Sequence, residues 1–141
     1  MATDPKLSYD AVDAMMDGLS ALLNSGKLVI WDDTGTTPTS VSDANDDNNT
    51  NVKLAELTLN ADFAAASSNG VLTANSITAD SSANASGTCD YFRLTNSAQT
   101  AAYFQGTCGP TSGYDLNMNS ATISSGAEVS VTALTLTLAR E

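Results

Sequence analysis

No histidine occurs anywhere in the 141 residues. That absence excludes Ser-His and Cys-His nucleophilic mechanisms and removes the commonest metal ligand. Basic residues are nearly missing too. Lys6, Lys27, Lys53, Arg93 and Arg140 are the full set, no two are neighbours, and the net charge is −11. Phosphate binding needs clustered Lys and Arg, so no nucleic acid is expected as a partner. The same charge opposes an anionic membrane surface. No apolar run approaches the ~20 residues of a membrane span. The opening MATDPKLSYDAVDAMM lacks the basic start and apolar core of a secretory signal. The expectation is therefore a chain made in the cytoplasm, or one whose signal was removed. Cysteine is limited to Cys89 and Cys108, nineteen positions apart, which does not supply a four-ligand zinc site. No GxSxG or P-loop pattern occurs.

What remains is a neutral, small-residue chain with a real core. Hydrophobic residues make up 42 % and charged residues only 15 %, and a chain of this length folds as one domain without needing a metal. From Ser8, apolar residues at Val12, Met15, Leu19 and Leu22 recur at spacings of three or four, widened by Met16 and Leu23. Ser8 reads as the N-cap, Asp10 places charge in the first turn, and Asn24-Ser25-Gly26 ends the helix. The stripe Val12, Met15, Leu19 and Leu22 is expected to dock on the β-domain or on a partner. After Gly26 the period becomes alternating. Strands are expected at 27–31, 52–59 and 71–77, then in the cysteine hairpin and near Leu116–Met118. A last strand runs through 129–138, with a change of phase at Ala133-Leu134 that reads as a bulge. Turn signals at Ser68-Asn69-Gly70 and Ser124-Ser125-Gly126 separate them. This pattern predicts a mainly β fold, an antiparallel β-sandwich (jelly-roll or Ig-like) of about seven short strands with one N-terminal α-helix. The helical segment spans 1–26 and the β-sandwich domain 27–141.

The stretch CDYFRLTNSAQTAAYFQGTC, residues 89–108, looks folded in half. A turn centred between Ala98 and Gln99 sets Cys89 opposite Cys108, Tyr91 opposite Gly106 and Arg93 opposite Phe104. Directly opposed Cβ atoms lie ~4.5–5.5 Å apart, near disulfide geometry. A thiolate needs a neighbouring cation or helix N-terminus, and Asp90 supplies neither. The pair is thus a staple or two buried thiols, depending on redox compartment, and not a catalytic site.

Residues 32–51, DDTGTTPTSVSDANDDNNTN, are nearly empty of apolar side chains. Asp43, Asn45 and Asp47 alternate like the start of a calcium loop. Asn48 sits where the glycine belongs, however, and Leu54 where a bidentate Glu would be. A solvated connection is the preferred reading. Asp32-Asp33 and Asp46-Asp47 are carboxylate pairs that a hydrolase could use, with nothing marking either as buried. Trp31-Asp32-Asp33 is the single candidate for a glycan platform.

Three stretches carry a resemblance: AVDAMMDGLSALLNSGKLVIWDDTGTTP, then LAELTLNADFAAASSNGVLTANSITADSSANASGTCDYFRLTNS, then GYDLNMNSATISSGAEVSVTALTLTLARE. Together they cover nearly the whole chain. They resemble a family of small proteins encoded in the structural gene clusters of tailed bacteriophages. The cysteine pair and the Asp/Asn-rich loop depart from the usual pattern of that family. The resemblance implies a non-enzymatic virion protein, most simply a capsid decoration (cement) protein that stabilises the phage head. Its expected partners are the major capsid protein or another virion protein and copies of itself. Trimers suit the threefold positions of an icosahedral shell. The alternative is a tail- or neck-associated module binding a receptor or glycan. No catalytic, cofactor-binding or metal-ligating residue is assigned.

Overall fold

A computed structural model of the chain describes residues 5–34, 37, 38, 41 and 51–138. Among the described residues one helix, α1 (Tyr9–Leu23), precedes nine short strands: β1 (Lys27–Asp32), β2 (Val52–Thr58), β3 (Val71–Thr73), β4 (Gly87–Thr88), β5 (Tyr91–Thr95), β6 (Ala102–Gly109), β7 (Leu116–Asn117), β8 (Thr122–Ile123) and β9 (Thr135–Thr137). The architecture is mainly β. A five-stranded sheet has the order β2-β1-β5-β6-β7, and two ribbons pair β3 with β9 and β4 with β8. All these pairings are antiparallel except β6 with β7, which is parallel. The purely antiparallel expectation therefore meets one exception, at the sheet edge.

The helix starts where the sequence places it, with Ser8 Oγ accepting from the Ala11 amide at 3.2 Å. Its inward face differs from the expected one. Val12, Met16, Ser20 and Leu23 are buried and Leu19 is half-buried, whereas Met15 is 49 % and Leu22 51 % exposed. Val12 and Leu19 keep their expected core role, and Met15 and Leu22 do not. The helix carries two apolar rows, because the doublets Met15-Met16 and Leu22-Leu23 each put one residue in each row. Periodicity cannot choose between them. The choice is made by carboxylates: Asp13 accepts from the amides of Asn69 (3.2 Å) and Gly70 (2.7 Å), and Asp17 from that of Ser67 (2.7 Å). These bonds fix the rotation of α1 against the 67–70 turn.

That turn is a two-residue hairpin. Ser68 and Val71 exchange backbone hydrogen bonds, and Asn69 (φ 54°) and Gly70 (φ 78°) both occupy the left-handed region that an Asn-Gly pair favours. Gly26 is needed for a different reason than a left-handed cap, which Ser25 provides (φ 56°). A Cβ on Gly26 would lie 2.2 Å from the Thr95 carbonyl oxygen. The terminal segment also departs from expectation. The change of phase is real, since Val129, Val131, Leu134 and Leu136 are buried and Ala133 is exposed. Only Thr135–Thr137 forms a ladder, however, while Val129 makes an isolated bridge to Asp80. The long strand is divided between two partners.

The helix phase is checked by substitution. Leu23→Ala, at a fully buried side chain, should cost about 2–5 kcal/mol in urea unfolding. Met15→Ser and Leu22→Ser should each stay within about 0.5 kcal/mol of the parent.

Candidate functional site

The cysteine hairpin forms with the expected turn and a shifted ladder. Asn96 organises the turn, its Oδ1 accepting from the amides of Thr100 and Ala101. Thr95 pairs with Ala102, in the register read from the sequence. A bulge between Leu94 and Thr95 then inserts Tyr103, and every later pair moves by one: Leu94 with Phe104, Arg93 with Gln105, Phe92 with Gly106, Tyr91 with Thr107. Cys89 is therefore outside β5, and the amide of Cys108 donates to the Asp90 carbonyl. The aromatic ring over Gly106 is Phe92, whose Cε1 lies 2.7 Å from where a Cβ would stand. Arg93 rides over Tyr91 at 5.6 Å instead of Phe104.

The two thiols still meet. Both are free, buried and part of the main core, and their sulfurs share a hydrogen bond. They titrate as a unit. The hydrogen bond directs the first proton loss to Cys89, and it pushes the Cys108 thiol far above the ordinary range, with burial adding to it. Burial and the Asp90 charge oppose a thiolate at both positions. Such a pair packs well and reacts poorly.

On the opposite face of the sheet lies a second layer. Trp31 and Tyr91 face each other across β1 and β5, rings parallel within 6° and centroids 6.2 Å apart. Lys53 Nζ sits 5.9 Å from the Trp31 ring, so cations flank both aromatics. Arg93, 1 % exposed, donates from Nε to Gln105 Oε1 at 3.0 Å, and Gln105 donates in turn to the Pro38 carbonyl. Lys53 pairs with Glu56 at 3.1 Å and donates to Gln99 Oε1, and Gln99 closes the triangle onto Glu56. Trp31 is buried, so it does not present an open glycan platform. Sequence reasoning missed Gln99, Gln105 and Glu56 as parts of one polar layer. Alternation gave no sign of it: Tyr91, Arg93 and Thr95 form a polar phase that reads as solvent-facing, yet all three are buried.

The carboxylates of Asp32 and Asp90 serve the backbone, and that of Asp33 accepts from the Thr37 hydroxyl. Asp32 Oδ2 accepts from the Thr88 amide at 2.9 Å, and the Asp33 amide donates to Asp90 Oδ2 at 2.9 Å. The Asp90 carboxyl is raised, first by burial and then by the neighbouring charges of Asp33 and Asp32. Asp43, Asn45, Asp46, Asp47 and Asn48 lie outside the described residues. Among the described residues no group of three His, Cys, Asp or Glu side chains could hold a metal ion, and no helix is long and apolar enough to cross a membrane.

Two shallow surface grooves remain. One, of about 260 Å³, lies between Met118–Ser124 and Ala127–Ser130. The other, of about 250 Å³, lies beside α1 and is bounded by Asp17, Ala21, Asp62 and Ala64–Ala66. No protein-family model, curated protein or solved structure matches this chain.

Two measurements test this picture. The thiols of the native chain should resist an aromatic disulfide reagent and react together once denaturant opens the core. A fast-reacting thiol in the native state would contradict their contact in the core. Stability should also respond to Asp90. With its folded-state pKa raised, protonation favours the folded chain. Stability is therefore gained as pH falls through the window from the raised value towards ordinary carboxylate pKa, and lost as pH rises back. Asp90→Asn, which keeps an acceptor for the Asp33 amide, should remove that component from the pH–stability curve.

Proposed function

We propose that the chain is a non-enzymatic virion structural protein, a capsid decoration protein that stabilises a phage head. The observation that carries the docking role is the outward face of α1, which presents Met15 and Leu22 to solvent, with Leu7 exposed just before the Ser8 cap. Large apolar side chains gathered on one exposed helix face mark an interaction surface. The setting is supported by the resemblance of three stretches, covering nearly the whole chain, to tailed-phage structural proteins. An acidic chain is repelled by packaged DNA and belongs on the outside of a shell. Many copies on a shell are arranged symmetrically, so modest contacts suffice at high effective concentration.

The same reading includes a β-sandwich. In it, the five-stranded sheet forms one layer and the β3–β9 and β4–β8 ribbons form the other. One core supports this arrangement, since it joins Leu28, Leu57 and Phe92 of the sheet to Leu72, Leu136 and Ile123 of the ribbons. The absent histidine and the buried thiols argue for a role without catalysis.

Counting copies in purified particles tests the placement: hundreds indicate a shell component, and far fewer a neck, tail or fibre protein. Particles made without the chain should package DNA and release it more readily on heating or chelation. Full physical stability with lost adsorption to cells would instead favour the receptor- or glycan-binding module.

A further inference from the structure

A surface helix ordinarily turns polar side chains to solvent. The outward row of α1 does not. Ala11, Met15, Gly18 and Leu22 follow one another at helical spacing, with Ala14 and Ala21 exposed beside them and Leu7 exposed just before the cap. Nothing lies within 4 Å of the position a Cβ on Gly18 would take, so another chain can approach the helix backbone there. Directly alongside is the groove of about 250 Å³ between α1 and residues 62–66. Its walls combine alanine methyls with two carboxylates. Asp17 gives one oxygen to the Ser67 amide, and among the described residues neither Asp17 nor Asp62 meets a cation. Alanine-lined space next to paired acids matches the two halves of a long basic side chain. The methylenes cover apolar surface while the charged head reaches the carboxylates.

The geometry points to this surface as the docking site for a partner protein that presents Lys or Arg beside an apolar ridge. A second copy of the chain does not offer that chemistry. Arg93 is buried, Lys53 is engaged by Glu56 and Gln99, and Lys27 donates to Thr58. Among the described residues Lys6 alone is an exposed basic side chain, and it already has an interaction within its own chain. Two copies meeting through α1 would also set Asp10 and Asp17 of one near those of the other, a like-charge contact that disfavours pairing. The inference deepens the virion reading by naming the surface and the partner's chemistry, and it rests on that reading only for what the partner is.

The full chain, isotope-labelled, is titrated with a short amphipathic helical peptide of Leu and Lys, and with its Leu and Glu counterpart. The Lys peptide should shift amides at Gly18, Ala21 and 62–66 in a saturable way. Asp17→Asn with Asp62→Asn should weaken it about fivefold, and added salt should do the same. Met15→Gln with Leu22→Gln should weaken it independently of salt. Equal binding of the Glu peptide, shifts confined to other surfaces, or no binding would overturn the proposal. So would shifts that depend on protein concentration without peptide, which would assign the face to a second copy. The virion reading fails separately. If the chain is missing from purified particles while the Lys peptide behaves as expected, that reading falls and the surface stands. If the Asp17→Asn/Asp62→Asn chain decorates particles as well as the parent, the surface falls and that reading stands.

Discussion

Burial of β5 on both faces is the constraint from which the rest follows. All five residues, Tyr91 to Thr95, are shielded from solvent, so a layer must exist on each side of the sheet. One side is ordinary: Phe92 and Leu94 join the apolar core with Leu28, Ile30 and the inward row of α1. The other side must bury Arg93, and a buried guanidinium is tolerated only when its donors are met. Gln105 and the Tyr91 ring face it there. Gln105 is in turn tied to Pro38, and Asn51 to the Tyr91 hydroxyl. A single positive charge in the sheet thus dictates the identity of several neighbours.

Two bulges reconcile these layers. On β2, Leu54 is the extra residue that resets the ladder between Ile30 and Trp31. On β6, Tyr103 does the same between Leu94 and Thr95. Each adds local twist to a strand. The second has a chemical outcome as well, because it brings the Asp90 carbonyl, not Cys89, to the Cys108 amide and leaves Cys89 outside β5.

The legible parts of this fold were those written in local chemistry. The Ser8 cap, the Asn69-Gly70 hairpin, the turn at Ala98-Gln99, the strand at 52–58 and the phase change at Ala133-Leu134 all follow from residue type and near-neighbour spacing. The illegible parts depend on distant choices. A bulge in β6 carries no sequence mark, so a register counted outward from a correct turn fails by one residue. The inward row of α1 is selected by Asp13 and Asp17 reaching a turn fifty or more residues away, where periodicity offers two equal stripes. Both cysteines are buried in the main core, but the ladder does not set them opposite each other as symmetry about the turn predicts. The polar layer was hidden because Lys53, Glu56, Gln99 and Gln105 each look like ordinary surface residues in isolation.

The seat of α1 is built from late parts of the chain. Gly70 touches Val12 on one side and the Leu138 carbonyl on the other, and the Leu138 amide donates to the Gly70 carbonyl. β3, against which the helix rests, finds its ladder partner only in β9. During synthesis, then, the helix emerges before the strands it packs on and waits more than a hundred residues for its full support. Closing so long a loop costs entropy before any contact repays it. Until residue 138 has cleared the ribosome, both apolar rows of the helix stand open to water. Docking of the helix thus waits on β9, and the interval before it is when a chaperone or a premature partner has access.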